Sequence, residues 1–392
     1  MHTAHPAAAL RAYEQPTSWR ERLAARVDRW STSPALYRWA MSSLLTRWVV
    51  RRRSAQLFGC MAGFVHSQVL LACVRLRLLE TLLESPRTLA ELAAQTGMPA
   101  SSLQRLLDSA VSLRLVNRRG GGRYGLGALG APVAAHAGIR DMVEHNATLY
   151  EDLRDPLALL REPNQTQMHT YWPYTPGQAA PTPTGSSSFS RYSSLMATSQ
   201  RFVIDELLAA YPYADHQRVL DVGGGMGGWI SALAQQHPHL QCALFDLPPV
   251  AALAAEQLRQ KGLSERVSTH GGSFTTDALP TGADLVTLVR VAHDHADATV
   301  LTVLRAIFAS LPLGGTLLLA EPMANEEGLS PTDPYFHFYL MAMGAGQLRT
   351  PQALSALMET AGFTHIELAP SPMPLHAQIL VGRKSRHRAT AS

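Results

Sequence analysis

Residues 221–227 read Asp221-Val222-Gly223-Gly224-Gly225-Met226-Gly227. This glycine-rich run lies between a short apolar stretch at 218–220, which is typical of a strand, and a helical pattern at 229–236. The order strand, glycine turn and helix is typical of a site for a nucleoside-containing ligand. Glycines let the backbone bend tightly and approach such a ligand, because no Cβ stands in the way. A second apolar run ends on Asp246, at the spacing where an acid reaches ribose hydroxyls.

The glycines fit two classes of cofactor. Gly223, Gly225 and Gly228 satisfy the G-x-G-x-x-G pattern of dinucleotide enzymes. Asp221 followed by Gly223, Gly225 and Gly227 equally satisfies the pattern of S-adenosylmethionine (SAM) methyltransferases. A pyrophosphate favours a positive helix end without an acid beside it, whereas a methionyl ammonium tolerates one. Asp221 therefore favours SAM, while a dinucleotide stays open at this point.

Strand and helix patterns alternate through the second half of the chain. Strands are predicted at 217–222, 241–246, 266–270, 284–289, 315–320, 364–369 and 376–383. This alternation predicts an α/β, Rossmann-like domain with a doubly wound, mostly parallel sheet. Ligands bind at the carboxyl ends of the strands in such a sheet, which is where the glycine run lies.

The first half of the chain predicts a winged-helix unit. A helix with apolar residues on most sides is expected at 56–84, and a capping box at 88–91 begins a short helix. A second helix at 99–113 and a glycine-tipped hairpin at 115–126 follow. The outward positions of the second helix are close to neutral in sum. Dimerisation or the covering of a pocket is therefore favoured over DNA binding, which needs a cationic face.

Composition and cysteine content indicate the expected cellular compartment. The chain has 392 residues, of which 46% are hydrophobic and 16% charged. Its three cysteines form no C-x-x-C pair, which argues against disulfides and a zinc site and favours a reducing cytoplasm. No apolar run is expected to span a membrane, and no signal peptide is expected.

Residues 1–53 form a basic arm. Ten arginines and three acids give it a net charge of +7, and it contains Trp19, Trp30, Trp39 and Trp48. Tryptophan among arginine suits a helix lying on an anionic membrane surface. An arm that packs in a dimer or covers a domain is the favoured alternative. A nucleic-acid arm is weaker, because aromatic and apolar residues interrupt the charge.

An acid–base group is expected at the same sheet edge. His293-Asp294 follows the fourth predicted strand, and Glu321 follows the fifth. Histidine is a suitable base near neutral pH, and an adjacent acid can fix its tautomer. A metal site at His293, Asp294, His295 and Asp297 is the weaker interpretation, because adjacent residues rarely point at one ion.

The chain resembles the dimeric, SAM-dependent small-molecule O-methyltransferases over residues 56–383. The motifs concerned are 245–248 (Phe-Asp-Leu-Pro), 271–274 (Gly-Gly-Ser-Phe), 291–294 (Val-Ala-His-Asp), 313–315 (Leu-Gly-Gly) and 348–350 (Leu-Arg-Thr). The arm and segments 63–73, 171–174 and 192–196 are similar to the carotenoid O-methyltransferases of purple photosynthetic bacteria.

The resemblance implies five regions. They are a basic arm (1–55), a winged-helix dimerisation domain (56–160), a Pro/Ser/Thr-rich linker (161–190), a SAM-binding methyltransferase domain (191–383) and a basic tail (384–392). It also implies a homodimer. The implied cofactor site comprises Asp221, Gly223, Gly225, Gly227, Asp246, Leu247, Ser273, Phe274 and Arg290. The implied catalytic residues are His293 as general base, with Asp294 and Glu321, and no metal.

Three departures from the family pattern bear on the chemistry. Ser273 stands where the family usually has Asp near the adenine, and His295 replaces a Trp. Leu348 replaces a second acidic partner of the catalytic His, which makes the pocket more apolar and suits a hydrocarbon substrate. Residues 335–343 are expected to form either a pocket wall or helical core.

The resemblance implies methylation of the tertiary hydroxyl of acyclic hydroxycarotenoids, such as hydroxyneurosporene and demethylspheroidene, in spheroidene and spirilloxanthin biosynthesis. An O-methyltransferase for a phenol or polyketide is the first alternative. A winged-helix regulator that uses SAM only as a sensor is the second. The expected location is the cytoplasm, with peripheral contact at the inner or photosynthetic membrane as an open alternative, and no nucleic-acid partner is expected.

Overall fold

The computed structural model describes residues 18–42, 44–163, 165–171, 203–325, 330, 332–344, 346–370 and 377–385. The chain divides into two compact units, residues 1–72 and 73–392. Most of the predicted linker, the 192–196 motif and the tail beyond residue 385 lie outside the described residues.

The first unit is helical. It contains α1 (Trp19–Ser31), α2 (Pro34–Ser42) and most of α3 (Leu44–Arg75). A capping box begins α1, where the Ser18 hydroxyl accepts from the Glu21 N–H at 3.2 Å and the Glu21 carboxylate accepts from the Ser18 N–H at 3.1 Å.

Helix α3 corrects one expectation. Its segment Thr46–Arg75 is long enough to cross a membrane, and an 18-residue window within it reaches a mean hydropathy of 1.8. The expectation that no apolar run reaches this length was therefore wrong. Serine, glutamine and histidine interrupt residues 54–74, but no Asp, Glu, Lys or Arg does.

The second unit begins with the predicted order of helix, turn, helix and hairpin. The helix expected at 56–84 is divided, because Arg77 takes a left-handed conformation (φ 51°) and α4 (Leu78–Glu84) starts there. The predicted capping box begins α5 (Leu89–Thr96), and α6 (Ala100–Ser112) follows. A three-stranded sheet has the order β1-β3-β2. Its strands are β1 (Arg87–Thr88), β2 (Val116–Arg119) and β3 (Arg123–Leu126).

Among the residues that the structure describes, five helices lead to the second sheet. They are α7 (Gly130–Ala135), α8 (Ala137–Asp152), α9 (Pro156–Arg161), α10 (Gln167–Tyr171) and α11 (203–210). Asp155 caps the start of helix α9, and its carboxylate accepts from the N–H groups of Leu157 and Ala158 at 3.0 Å.

The seven predicted strands are all present, each within two residues of its expected bounds. They are β4 (Arg218–Val222), β5 (Gln241–Asp246), β6 (Val267–Gly271), β7 (Leu285–Val289), β8 (Thr316–Glu321), β9 (Thr364–Ala369) and β10 (Gln378–Arg383). Their order is β6-β5-β4-β7-β8-β10-β9, in which β10 runs antiparallel to both β8 and β9 and the other pairs are parallel. The predicted α/β class with a mostly parallel sheet is confirmed.

Two apolar clusters cover the two faces of this sheet. On β7, Val286 and Leu288 belong to one cluster while Leu285 and Val289 belong to the other, as the period of two in a strand requires. The remaining helices are α12 (Gly228–Gln236), α13 (Pro248–Gln260), α14 (Asp297–Ser310), α15 (Asp333–Ala342) and α16 (Pro351–Ala361). The strand order reverses between β4 and β7, and this reversal opens a crevice at their carboxyl ends.

Candidate active site

The glycine turn lies at that crevice, between β4 and α12. Gly223 has φ 69°, and a Cβ there would lie 2.7 Å from the Cγ2 atom of Val291. A Cβ on Gly224 would lie 2.6 Å from an oxygen of Asp221. Side chains are therefore excluded from both positions. The contact with Val291 also places the glycine turn against the loop that follows β7.

Asp246 ends β5 and holds the glycine turn from the adjacent strand. Its Oδ2 accepts from the Gly225 N–H at 2.8 Å, and its Oδ1 accepts from the Leu247 N–H at 2.7 Å. Burial raises the pKa of Asp246, and these two hydrogen bonds oppose the rise. A carboxylate offers about four acceptor positions, so these bonds leave Asp246 able to accept from a ligand hydroxyl.

Asp221 lies beneath the turn and is 1% exposed. Its Oδ1 accepts from the Thr287 hydroxyl at 2.8 Å, and the Trp229 indole N–H donates to the same hydroxyl at 3.2 Å. Within the described residues its Oδ2 has no hydrogen-bond partner. Burial raises the pKa of Asp221 to about 7.

These features fit SAM. A Cβ at Gly225 would meet open space, Asp246 keeps acceptor capacity for a ribose, and the buried Asp221 carboxylate beneath the turn suits a positively charged ligand group. Thr287 and Trp229 carry no sequence signal that joins them to Asp221.

His293 lies in a single 3₁₀ turn, residues 292–294, after β7. Its Nδ1 lies 2.5 Å from the Glu321 carboxylate. Glu321 also accepts from the N–H groups of Val291 at 2.8 Å, Ala292 at 2.6 Å and His293 at 3.3 Å. Because a carboxylate only accepts, it holds the proton on Nδ1 and leaves Nε2 as the basic nitrogen.

Asp294 lies on the other side of the imidazole, with Oδ1 3.2 Å from the His293 Nε2 in a contact that lacks hydrogen-bond geometry. Burial lowers the pKa of His293, but the carboxylates of Asp294 and Glu321 outweigh it and the net shift is upward. Burial raises the pKa of Asp294 to about 6. The weak contact at Nε2 leaves this nitrogen open to a substrate hydroxyl.

The predicted adenine residues lie at the end of β6. The Ser273 N–H donates to the Asp277 carboxylate at 2.8 Å, and the Ser273 and Thr275 hydroxyls lie 2.8 Å apart. Phe274 packs edge-on against His295, with ring centroids 5.6 Å apart. We call residues 291–295, which carry His293, the base turn. His295, the histidine that departs from the family pattern, therefore joins the base turn to the predicted adenine region.

Arg290 directly follows β7 in a left-handed conformation (φ 57°), and its N–H donates to the Ala320 carbonyl at 2.8 Å. Its positive charge acts on the pKa values of His293, Asp294, Tyr335 and Tyr339. The residue therefore lies beside the base, and its contact with a cofactor stays a prediction.

Helix α15 faces α8 through two polar contacts. The Tyr339 hydroxyl lies 3.0 Å from Nε2 of His145, and the Tyr335 hydroxyl donates to Asn146 at 3.0 Å. Tyr339, Leu340, Ala342, Met343 and Leu348 belong to a buried apolar cluster. Part of α15 is thus helical core. His145 and Asn146 carry no sequence signal that links them to the site.

Every predicted site residue is described, and each lies at or just after the carboxyl end of β4, β5, β6, β7 or β8. Across the described ranges, His, Cys, Asp and Glu form no group of three that could hold a metal ion. Their binding and catalytic roles stay predictions.

Two family models match the chain. An O-methyltransferase dimerisation domain matches residues 58–133, and an O-methyltransferase domain matches residues 150–364. The demethylspheroidene O-methyltransferase of Cereibacter sphaeroides is 39% identical over 327 residues, covering 83% of this chain and 85% of the relative. The protein of the same name from Rhodobacter capsulatus is 40% identical, covering 81% and 79%.

Solved structures agree with this assignment. The apo form of the SAM-dependent methyltransferase SibL has a TM-score of 0.73 at 25% identity, covering 84% of this chain and 99% of its own. Human N-acetylserotonin methyltransferase in complex with SAM has a TM-score of 0.69 at 25% identity, covering 85% and 98%.

Proposed function

We propose that this chain, which belongs to the family of SAM-dependent O-methyltransferases, methylates the tertiary hydroxyl of an acyclic hydroxycarotenoid. The two demethylspheroidene O-methyltransferases, at 39% and 40% identity over about four fifths of the chain, support this substrate class. The observation that carries the chemistry is the His293 imidazole, whose Nδ1 is held by Glu321 and whose Nε2 faces Asp294 Oδ1 at 3.2 Å, outside hydrogen-bond geometry. The product belongs to spheroidene and spirilloxanthin biosynthesis.

The residues that would hold SAM are Asp221, Gly223, Gly225, Gly227, Asp246, Leu247, Ser273, Phe274 and Arg290. When bound, SAM supplies a methyl group on a positively charged sulfur. The glycine turn lets the backbone approach it, and Asp246 accepts from the ribose hydroxyls. In its ionised form, the buried Asp221 carboxylate adds negative charge beneath the turn.

His293 acts on the substrate proton. A tertiary alcohol holds its proton far more tightly than an imidazole does, so the proton leaves during or after C–O bond formation. The base must then already be in place, and Glu321 provides this by holding Nδ1 and three backbone N–H groups. Positioning supplies most of the rate, and His293 Nε2 takes the proton.

Labelled SAM with a hydroxycarotenoid, and separately with phenolic substrates, tests the substrate class. We expect a methyl ether of the carotenoid, identified by mass, and a much lower kcat/KM for phenols. Preferred methylation of a phenol would assign the chain to the alternative. Retention on DNA without methyl transfer would support the regulator.

The dimerisation-domain match at residues 58–133 supports a homodimer. Sedimentation of the full chain tests this assembly. A species of twice the 42.6 kDa chain mass is the expected result, and a monomer at micromolar concentration would contradict it.

We also propose that residues 1–53 contact an anionic bilayer, which places the protein peripherally on the cytoplasmic side of the inner or photosynthetic membrane. The side chains of Trp19, Trp30, Trp39 and Trp48 are all exposed, at 58–65%. Arg20 and Arg52 lie over the rings of Trp19 and Trp48, each 5.5 Å from the centroid. Indole rings beside guanidinium groups suit the headgroup region.

Vesicle flotation with anionic and with neutral lipid tests this contact. Replacing the four tryptophans by serine should abolish flotation with anionic vesicles. The Kd for SAM, measured without carotenoid, should stay unchanged. Equal flotation of both proteins would remove the proposal. A shift to monomers on substitution would instead assign the arm to the dimer.

A further inference from the structure

A second buried charge holds the base turn from the side opposite Glu321. Arg349 is 4% exposed, and its Nη1 donates to the Ala292 carbonyl at 2.8 Å. Its Nη2 donates to the His295 carbonyl at 2.7 Å, and its Nε donates to Asp297 at 2.7 Å. The guanidinium therefore spans the turn from its beginning to its end.

The backbone before Arg349 lies on the same turn. The Gln347 N–H donates to the His293 carbonyl at 2.8 Å. At Gly346, which has φ 99°, a Cβ would overlap the His293 carbonyl oxygen at 2.2 Å. The Arg349 carbonyl in turn accepts from the Ala324 N–H at 2.8 Å. Residues 346–349 are thus fixed between the base turn and the chain that follows β8.

The two charges divide the polar groups of the turn between them. Glu321 accepts from the N–H groups at 291–293, and Arg349 donates to the carbonyls at 292 and 295. Within the turn itself, only two long hydrogen bonds are present, from Asp294 to Val291 at 3.2 Å and from His295 to Ala292 at 3.3 Å. A turn with so little internal bonding needs external partners to keep one conformation.

We propose that Arg349 is a positioning residue for the base, and that it acts on turnover only through His293. A ligand contact does not fit, because all three guanidinium nitrogens are engaged by the protein. Its remaining N–H lies beside the Asp297 carboxylate, with Nη2 at 2.7 Å from Oδ1. A lysine cannot replace this fork, because its single ammonium cannot reach carbonyls at both ends of the turn.

The inference rests on the proposed role of His293, so the test uses a double-mutant cycle of Arg349→Lys and His293→Ala. In the wild-type background, Arg349→Lys should lower kcat about 10- to 100-fold, while the Kd for SAM stays within about twofold. In the His293→Ala background, it should lower the residual kcat no further. Arg266→Lys is the matched control, since Arg266 also donates to a backbone carbonyl, that of Pro238 at 3.2 Å.

The outcomes separate the two claims. If His293→Ala keeps near-normal turnover, the base assignment fails. If His293→Ala loses turnover but Arg349→Lys keeps it, only this inference fails. An equal fall in both backgrounds would assign Arg349 a general structural role and overturn it.

A second variant covers the case in which Arg349→Lys does not fold. Asp297→Asn removes only the carboxylate that orients the guanidinium, and the Asp297 side chain is 61% exposed. We expect kcat to fall about 2- to 5-fold without a change in SAM affinity, and again only when His293 is present. An unchanged kcat, or the same fall without His293, would overturn the inference.

Discussion

Asp246 and Glu321 are buried carboxylates at the carboxyl ends of β5 and β8 in one sheet, yet their hydrogen bonds differ. Asp246 accepts two backbone N–H groups. Glu321 accepts three, together with the imidazole of His293. With about four acceptor positions per carboxylate, the first retains capacity for a ligand and the second has none.

This difference assigns the two carboxylates separate tasks. A carboxylate with spare acceptor positions can exchange a solvent contact for a ligand hydroxyl at little cost. A fully engaged one belongs to the scaffold and acts through the group it holds. Variants on the Asp246 side should therefore change cofactor affinity, and variants on the Glu321 side should change turnover.

The largest effect is expected at His293. His293→Ala removes the proposed base and should lower kcat about 1,000-fold, within the range for general-base catalysis, while SAM affinity is preserved. Single-turnover rates and calorimetry with SAM measure the two quantities. His270→Ala, an exposed imidazole on β6, serves as control. Near-normal turnover of His293→Ala would end the base assignment.

The next effect is expected at Asp246. Asp246→Ala should raise the Kd for SAM about 10- to 100-fold, because charge-assisted hydrogen bonds are lost, and kcat at saturating SAM should change much less. Calorimetry measures the Kd, and Glu256→Gln, which removes an exposed carboxylate paired with Arg259, is the control. Unchanged SAM affinity would contradict the proposal that Asp246 accepts from the ribose hydroxyls. Asp246 and Glu321 would then no longer differ in their expected effects on affinity and turnover.

Asp294→Asn tests the electrostatics of the base turn. The negative charge of Asp294 raises the pKa of His293, and the base acts in its neutral form, so activity rises as pH passes upward through that pKa. Removing the charge should move the acidic limb of the kcat profile to lower pH. A limb that stays in place or moves to higher pH would show that Asp294 does not act on the imidazole in this way.

The smallest effect is expected from Asp221, as a pH-dependent change in stability. Its pKa is about 7 in the folded protein and about 4 in the unfolded chain, so the folded state binds the extra proton between these values. The free energy of unfolding therefore falls as pH rises from 4 to 7.

Asp221→Asn has no carboxyl to titrate, so its free energy of unfolding should not show this fall with rising pH. The Tm of the variant relative to wild type, measured without SAM, should rise by a few degrees between pH 5 and pH 8. A Tm difference that is constant across this range would contradict the raised pKa.

Local signals predicted most of the fold. The strands of the large sheet follow from short apolar runs, and Asp221, Asp246, His293 and Glu321 follow from their places at the ends of those runs. The resemblance to the family, and not the local pattern, implied Ser273, Phe274 and Arg290. The break in the first predicted helix at Arg77 was missed, because neither glycine nor proline marks it. The apolar length of α3 was missed because polar side chains without charge interrupt it.

Contacts between distant residues were not predictable. Arg349 lies 57 residues from Ala292 in sequence, and Tyr339 lies 194 residues from His145. The motif at 348–350 was recognised, but nothing in it showed which groups the arginine would hold. Such partners are decided by how the strands and helices pack, which a single sequence does not contain.

The saturated Glu321 carboxylate also limits how the enzyme could be adapted to other alcohols. Four donors meet on it, so a substitution that moves this carboxylate would leave three backbone N–H groups and the imidazole without their partner. Substitutions on α8 and α15, where Tyr335 and Asn146 share one hydrogen bond, leave this carboxylate and its donors in place. Residues 335–343 are one expected pocket wall, so libraries restricted to those two helices test whether selectivity changes while turnover of the native substrate is kept.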